Sequence, residues 1–258
     1  MIQLKSKAEL DKMREAGRHV GEILLALHEL ARPGMTTAEI DQAARQEIRK
    51  RKLESSFLGY SPGGAAPPYP AVICTSVNAE IVHAIPGKRE LVDGDILKLD
   101  FGVVFGGFHG DSALTIPVGE VSDECQRLID TTLRSLYAGI GRMCPGSRLG
   151  DVGHAVQEVA EGEGYSVVRD FVGHGVGREL HEPPQLPNFG RPGRGQRLRA
   201  GMVLAIEPMV NLGSPGVEIG DDGWTAQTVD GRRSSHFEHT VAITDNGPEI
   251  LTRVPDGH

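Results

Sequence analysis

Two stretches of this chain, DGDILKLD (93–100) and AGMVLAIE (200–207), align at an offset of 107 residues, and each is an apolar run ending on a carboxylate. Gly94 falls on Gly201, Ile96 on Val203, Leu97 on Leu204, Leu99 on Ile206 and Asp100 on Glu207. Further along, DSALTI (111–116) aligns with EHTVAI (238–243), which puts Asp111 on Glu238. Earlier in each half, Pro33-Gly34 matches Pro145-Gly146 at an offset of 112, with Glu39-Ile40 on Asp151-Val152 and Ala43 on Ala155. Each match is short, but all keep one order. They predict an internal duplication, and therefore a pseudo-symmetric fold.

The local patterns repeat in the same way. Leu10, Met13, Val20, Ile23, Leu24, Leu27 and Leu30 stand at helical spacing within 8–31, and Arg32-Pro33-Gly34 stops that helix. Thr36 and Glu39 have capping-box spacing and open a second helix. The Gly- and Pro-rich run GYSPGGAAPPYP (59–70) reads as loop, and 71–118 as strands and turns. Helical pattern returns over 122–164 with a break at Cys144-Pro145-Gly146. Strand and loop follow from 166, with Pro- and Gly-rich turns at 182–195. The expected architecture is one α+β domain over 1–258 with halves 8–118 and 122–250, an antiparallel sheet bearing helices on one face.

Composition limits the function classes. A net charge of −8 argues against general nucleic-acid binding, and no DNA partner is expected. The segment MIQLKSKAELDKMREAG lacks the apolar core of a signal peptide, and no apolar run is long enough for a membrane span. Three cysteines (Cys74, Cys125, Cys144) without CxxC spacing fit a reducing cytoplasm.

An ionised Glu207 inside GMVLAIEPMV requires a cation close by. The duplication supplies three more acids instead: Asp100, Asp111 and Glu238. With a hairpin turn at Gly106-Gly107, Asp111 sits opposite Gly102 and diagonal to Asp100, within reach of one shared ion. In HFEHTVAIT, alternation puts Glu238, Thr240 and Ala242 on one face. Lys98 shares the parity of Asp100 and could pair with one acid, but it cannot neutralise four. Oxygen-rich sites hold hard divalent ions, and one imidazole extends the choice to Mn, Fe, Co or Zn. His174, between Gly173 and Gly175 where the backbone could turn tightly, is the imidazole expected, and His181 follows seven residues later. Four carboxylates and one histidine suffice for two ions when two acids bridge.

VNAEIVHAIPG, LDFGVVFGGFHGDSA, GHGVGRELHEPP, LAIEPMV and FEHTVAIT together resemble the type I methionine aminopeptidases of bacteria, in peptidase family M24. The resemblance runs over nearly the whole chain. It implies the pseudo-two-fold pita-bread fold, cytoplasmic location, a monomer, and removal of the N-terminal methionine from nascent peptides when the second residue is small. It implies two divalent ions per chain: Asp100 on the first, Asp111 and Glu238 bridging, His174 and Glu207 on the second. A water or hydroxide between the ions would be the nucleophile, with Glu207 as proton shuttle, His83 near the scissile amide and His181 at the oxyanion. Tyr60, Tyr69, Cys74 and Trp224 match residues of the methionine pocket. His109 looks like a strand residue of its motif, and His28, His154 and His236 read as ordinary surface or core histidines.

The pocket is also where the chain departs from the pattern. Leu180 stands where Phe is common, Ala79 replaces an acidic residue, and SPGGAAPP (61–68) lengthens the loop between Tyr60 and Tyr69. Two other readings share this fold: an Xaa-Pro peptidase (prolidase or aminopeptidase P), which usually carries a further N-terminal domain, and a non-catalytic ribosome- or RNA-associated relative, which loses the ligands. Finally, FGRPGRGQRLR (189–199) gathers Arg191, Arg194, Arg197 and Arg199 into one loop of an acidic chain. It is either a solvated turn or a contact for ribosomal RNA near the exit tunnel.

Overall fold

The computed structural model describes residues 2–62 and 67–253; Met1, residues 63–66 of the long loop and residues 254–258 lie outside it. Two helices open the chain, α1 (Lys7–Leu30) and α2 (Thr37–Arg51). Strands β1 (Glu54–Ser55), β2 (Ile73–Val77), β3 (Glu80–Val82), β4 (Asp95–Phe105) and β5 (Phe108–Val118) follow. A second helix pair, α3 (Asp123–Ile140) and α4 (Leu149–Gly162), precedes β6 (Ser166–Val167), β7 (Gly173–Gly175), β8 (Glu182–Leu186) and β9 (Val203–Ile206). Then come β10 (Met209–Asn211), β11 (Val217–Ile219), β12 (Ala226–Thr228), β13 (Ser234–His236), β14 (Glu238–Thr244) and β15 (Gly247–Ile250).

The main antiparallel sheet runs β1-β4-β5-β14-β9-β7-β8, with β2 also on β4 and β15 on β14. Strands of the two halves meet at β5 and β14, where only Glu238↔Ala113 and His239↔Ser112 are in register. Side chains extend that seam. The Thr240 hydroxyl accepts from the Asp111 N–H (3.1 Å) and donates to its carbonyl (2.7 Å). Ser112 Oγ donates to the Glu238 carbonyl (2.6 Å), and Thr115 Oγ1 to that of His236 (2.7 Å).

Helix starts are set by their caps. Ser6 with Glu9, and Thr36 with Glu39, form capping boxes at α1 and α2. One helix pair covers each half of the sheet. Val20, Ile23, Leu24, Leu27, Ile40 and Ala44 pack on Leu97, Leu99, Phe101 and Val103 of β4. Leu128, Leu136, Val152 and Val156 pack on Leu204, Ile206, Val241 and Ile243. Helix α1 sits directly on β5, since a Cβ on Gly110 would lie 2.9 Å from the Ala16 carbonyl carbon. The apolar residues of β4 and β14 thus face helices, and alternation turns Asp100 and Glu238 the other way.

The matched positions of the two halves do the same work. Gly34 and Gly146 both have positive φ (87° and 96°), and their N–H groups donate to the carbonyls of Leu91 and Leu198, residues 107 apart. Leu91 and Leu198 donate back to the carbonyls of Met35 and Ser147. Glu39 and Asp151 each accept the N–H of the residue capping their helix, Thr36 and Arg148, at 2.7 Å.

The hairpin at Gly106-Gly107 forms as expected, both residues at positive φ (57° and 80°), with Gly102 opposite Asp111. Two expectations need correction. Residues 182–186 are strand, not turn: β8 is the outer strand beside β7, where prolines cost no interior ladder bond. Likewise Gly173 and Gly175 do not serve a turn, because β7 is extended between β8 and β9. A Cβ on Gly173 would lie 2.3 Å from the Ala205 carbonyl oxygen, and one on Gly175 2.6 Å from that of Pro183. The glycines let two strands close around His174. Among the described residues, no helix is long and apolar enough to cross a membrane.

Candidate metal centre

Four carboxylates and a histidine from both halves meet at the floor of one cavity. Strand β4 brings Asp100, β5 Asp111, β7 His174 and β14 Glu238, while Glu207 follows the last residue of β9. Pro208 ends that strand's ladder, and Asn188 Nδ2 donates to the Glu207 carbonyl (2.9 Å). Asp111, His174 and Glu238 each offer a ligand atom, all within 4.8 Å of one another. His174 Nε2 lies 3.5 Å from Glu207 Oε1 and 3.8 Å from Asp111 Oδ2. Its Nδ1 lies 3.0 Å from the Gly175 carbonyl oxygen, so the Nδ1–H tautomer directs the Nε2 lone pair at the acids.

The electrostatics demand a cation. Burial raises Asp100 to about 7. Burial and then Asp100 push Asp111 well above the usual carboxylate range. Burial, followed by neighbouring acids, does the same to Glu207 and Glu238. Asp100 Oδ1, Asp111 Oδ1 and Glu238 Oε1 are buried without any hydrogen-bond partner. Buried polar atoms are rarely left so, because the desolvation cost goes uncompensated. Lys98 does not help: its Nζ donates to the carbonyls of Asn78 (2.7 Å) and Ser234 (3.0 Å), away from Asp100. His174 is driven down to about 3, first by burial and then by His181, so it is neutral and free to ligate. The donor set fits divalent metal.

Above this floor the cavity is about 360 Å³ and mostly apolar, lined by Phe57, Tyr60, Tyr69, Cys74, Leu180 and Trp224, with His83 and His181 at its side. Tyr60 and Tyr69 pair across the base of the long loop, Tyr69 N–H to Tyr60 carbonyl (2.8 Å), which fixes their register. Tyr69 donates its hydroxyl to the Ala84 carbonyl (2.9 Å), and Trp224 its Nε1–H to that of Pro67 (2.9 Å). Tyr60 Oη meets His181 Nδ1 at 2.6 Å. His83 is held at φ 62° with its ring edge-on to Phe171.

The structure therefore collects every site residue expected from sequence. It adds Phe57 and Pro62 to the cavity wall, which no motif pointed to. His236 is a core histidine as expected, buried with its Nε2 3.8 Å from Glu207 Oε2. His109 is a strand residue as expected, its Nδ1 2.8 Å from Ser56 Oγ.

Comparison with known proteins agrees with this centre. The model of metallopeptidase family M24 matches residues 11–245. The chain belongs to metallopeptidase family M24. Within M24 it is 51% identical over 254 residues to a methionine aminopeptidase of Clostridium perfringens, covering 98% of this chain and all of the relative. It is 50% identical over 254 residues to methionine aminopeptidase 1 of Bacillus subtilis, with the same coverage. The solved methionine aminopeptidase of Thermotoga maritima superposes with a TM-score of 0.94 at 46% identity, covering 98% of this chain and all of that one. An Xaa-Pro dipeptidase of Bacillus anthracis shares the pita-bread fold at a TM-score of 0.77, 21% identity and 62% of its own length.

Membership of M24 makes divalent metal the cation this centre takes, and the acids set its pH dependence. Asp100, raised to about 7, keeps its proton below that pH, so an incoming ion must displace it; above that pH the carboxylate is already free. Metal affinity of the stripped protein should therefore rise as pH increases toward 7, by about tenfold per unit for each proton displaced, and the Asp100 contribution should level off above that pH. Titration calorimetry with Mn²⁺ in buffers of different ionisation enthalpy reads both quantities. Affinity independent of pH, with no proton release, would contradict this.

Proposed function

We propose that this protein is a methionine aminopeptidase, a dinuclear metal hydrolase that removes the initiator methionine from nascent proteins whose second residue is small. One observation carries the reading: a mostly apolar pocket of about 360 Å³ opens onto the buried acid cluster. Such a pocket takes the methionine side chain and leaves its peptide carbonyl beside the metal ligands. Asp100, Asp111, His174, Glu207 and Glu238 would hold two ions, Asp111 and Glu238 bridging, the metals being Co, Mn, Fe or Zn. When bound, these ions supply a water of lowered pKa and polarise the scissile carbonyl.

The chain's own residues do the rest. Phe57, Tyr69, Cys74, Leu180 and Trp224 surround the methionine thioether, for which aromatic edges are favourable partners. Glu207 carries the proton from the attacking water to the leaving amine. His181 is lowered to about 4, first by burial, so it is neutral at pH 7. With Tyr60 donating to its Nδ1, the His181 proton resides on Nε2 and is available to the developing oxyanion. His83, also lowered to about 4 by burial, offers a second neutral imidazole to the scissile amide. All five ligand positions hold ligating residue types, which disfavours a non-catalytic relative. The Xaa-Pro reading rests on likeness of fold alone.

We place the activity in the cytoplasm, in a monomer whose 258 residues form one catalytic domain of duplicated halves (8–118 and 122–250). Support comes from the matched caps and turns of the halves and from the single sheet that both contribute to. The metal-loaded protein should cleave Met-Ala-Ser and not Ala-Pro. His181→Ala should lose about 10²–10³ in kcat while keeping its metal, and His174→Ala should lose both. Cleavage of Ala-Pro in preference, or equal metal loss in the two variants by elemental analysis, would refute this assignment.

The arginine loop supports a finer proposal about where the enzyme works. Arg191, Arg194, Arg197 and Arg199 are all exposed, and the loop is pinned to the start of α4. Gly193 N–H donates to Asp151 Oδ1 (2.6 Å), and Gly150 N–H to the Arg194 carbonyl (3.0 Å). A fixed basic loop on an acidic protein suits weak, salt-sensitive contact with ribosomal RNA beside emerging chains. Co-sedimentation with ribosomes should be lost when the four arginines become alanine, and at raised salt. Equal binding of wild type and variant would remove the proposal.

A further inference from the structure

The segment ahead of α1 reaches the edge of the catalytic cavity through one buried ion pair. Lys5 Nζ donates to Glu182 Oε2 at 2.6 Å, with only 4% and 9% of the two side chains exposed. Lys5 and Glu182 are 177 residues apart. Glu182 spends its other oxygen on its own loop: Oε1 accepts the N–H groups of Arg178 (2.8 Å) and Glu179 (3.4 Å). That loop, 177–182, carries Leu180 on the pocket wall and His181 beside Tyr60.

Both ends of the pair are anchored. Lys5 N–H donates to the Gly201 carbonyl (2.7 Å), and Gly201 N–H to that of Ile243 (2.9 Å), so Lys5 rests on the turn leading into β9 and Glu207. On the other side the Gly177 carbonyl accepts from the N–H of His109, two residues before Asp111 (2.8 Å). Gly177 is glycine because the pair crosses over it: an added Cβ would lie 2.2 Å from Glu182 Oε1 and 2.4 Å from Lys5 Nζ. A buried pair is poor evidence of added stability, since two desolvated charges roughly break even against apolar side chains of like volume. What it supplies is a fixed geometry, and the part so fixed is the loop bearing His181.

We propose that Lys5 is a positioning residue for catalysis, holding the 177–182 loop through Glu182 so that His181 and Leu180 stand correctly against the substrate. The inference rests on the methionine aminopeptidase reading for its kinetic consequence, but not for its structural one. The N-terminal segment is then part of the catalytic scaffold, although none of its described residues lines the cavity. Misplacing a transition-state donor by an ångström costs up to about 100-fold in rate.

The test uses full-length, metal-loaded protein carrying Lys5→Met/Glu182→Gln, which leaves no unpaired buried charge, alongside Lys5→Arg, which keeps the cation. In side-chain ¹H–¹⁵N spectra the His181 resonances should move in the double variant and not in Lys5→Arg, while those of buried His239 stay in place. On Met-Ala-Ser the double variant should lose about 10–100-fold in kcat at unchanged metal content, with Lys5→Arg near wild type. Placed in a His181→Ala background, the same double change should cost nothing further in kcat, the displacement of Leu180 showing instead in KM. Unmoved His181 resonances, or an equal kcat loss with and without His181, would overturn the inference. Moved resonances with wild-type kcat would uphold the loop's dependence on Lys5 and count instead against the role given to His181.

Discussion

Four carboxylates buried around one cavity repel each other, and among the described residues no lysine or arginine reaches them. That unbalanced charge is the condition the rest of the molecule is organised around. Asp100, Asp111 and Glu238 occupy the alternate positions of strands whose other face is bound to helices. Each is thereby held by the packing of its own strand and has little freedom to retreat into solvent. Burial keeps the local dielectric low, which raises the cost of ionising them without a partner and equally raises the attraction for a doubly charged ion. The one nearby ammonium, Lys98, is lowered to about 7, chiefly by burial, and is spent on two backbone carbonyls.

The pseudo-two-fold fold explains how such a costly cluster is assembled. Each half contributes a strand hairpin or its equivalent, and the halves join at β5 and β14, where Glu238 stands opposite Ala113, two residues along β5 from Asp111. Glu207, aligned with Asp100, follows the last residue of β9, and His174 comes from β7. Symmetry therefore provides the acids in pairs, and a departure from symmetry provides the imidazole. The pocket walls come from the loop before β2, from Cys74 in β2, from Leu180 and from Trp224.

Much of this is legible in the sequence because alternation and turn chemistry are local. The Gly106-Gly107 turn fixed the register that places Asp111 opposite Gly102, and the capping box of Thr36 with Glu39 marked a helix start. The four acids followed from strand parity together with the repeat, and His174 from its flanking glycines and the nearby His181. Less legible were features set by distant neighbours. The glycines beside His174 looked like turn residues, yet their cause is the carbonyls of Ala205 and Pro183 pressing from both sides. Phe57 and Pro62 meet the cavity only because the chain folds back at Tyr60 and Tyr69. The partners of Lys98 and Lys5 are unreadable in one dimension, since a buried ammonium can satisfy itself with any carbonyl or carboxylate the fold brings near.

The central claim is that this charge cluster is completed by two divalent ions shared between the halves of the molecule. Anomalous diffraction from crystals of the Mn²⁺-loaded protein, recorded on both sides of the manganese edge, tests it directly. Two peaks are expected: one against Asp100, Asp111 and Glu238, the other against Asp111, His174, Glu207 and Glu238. A single peak at full occupancy, or peaks that avoid Asp111 and Glu238, would contradict the account.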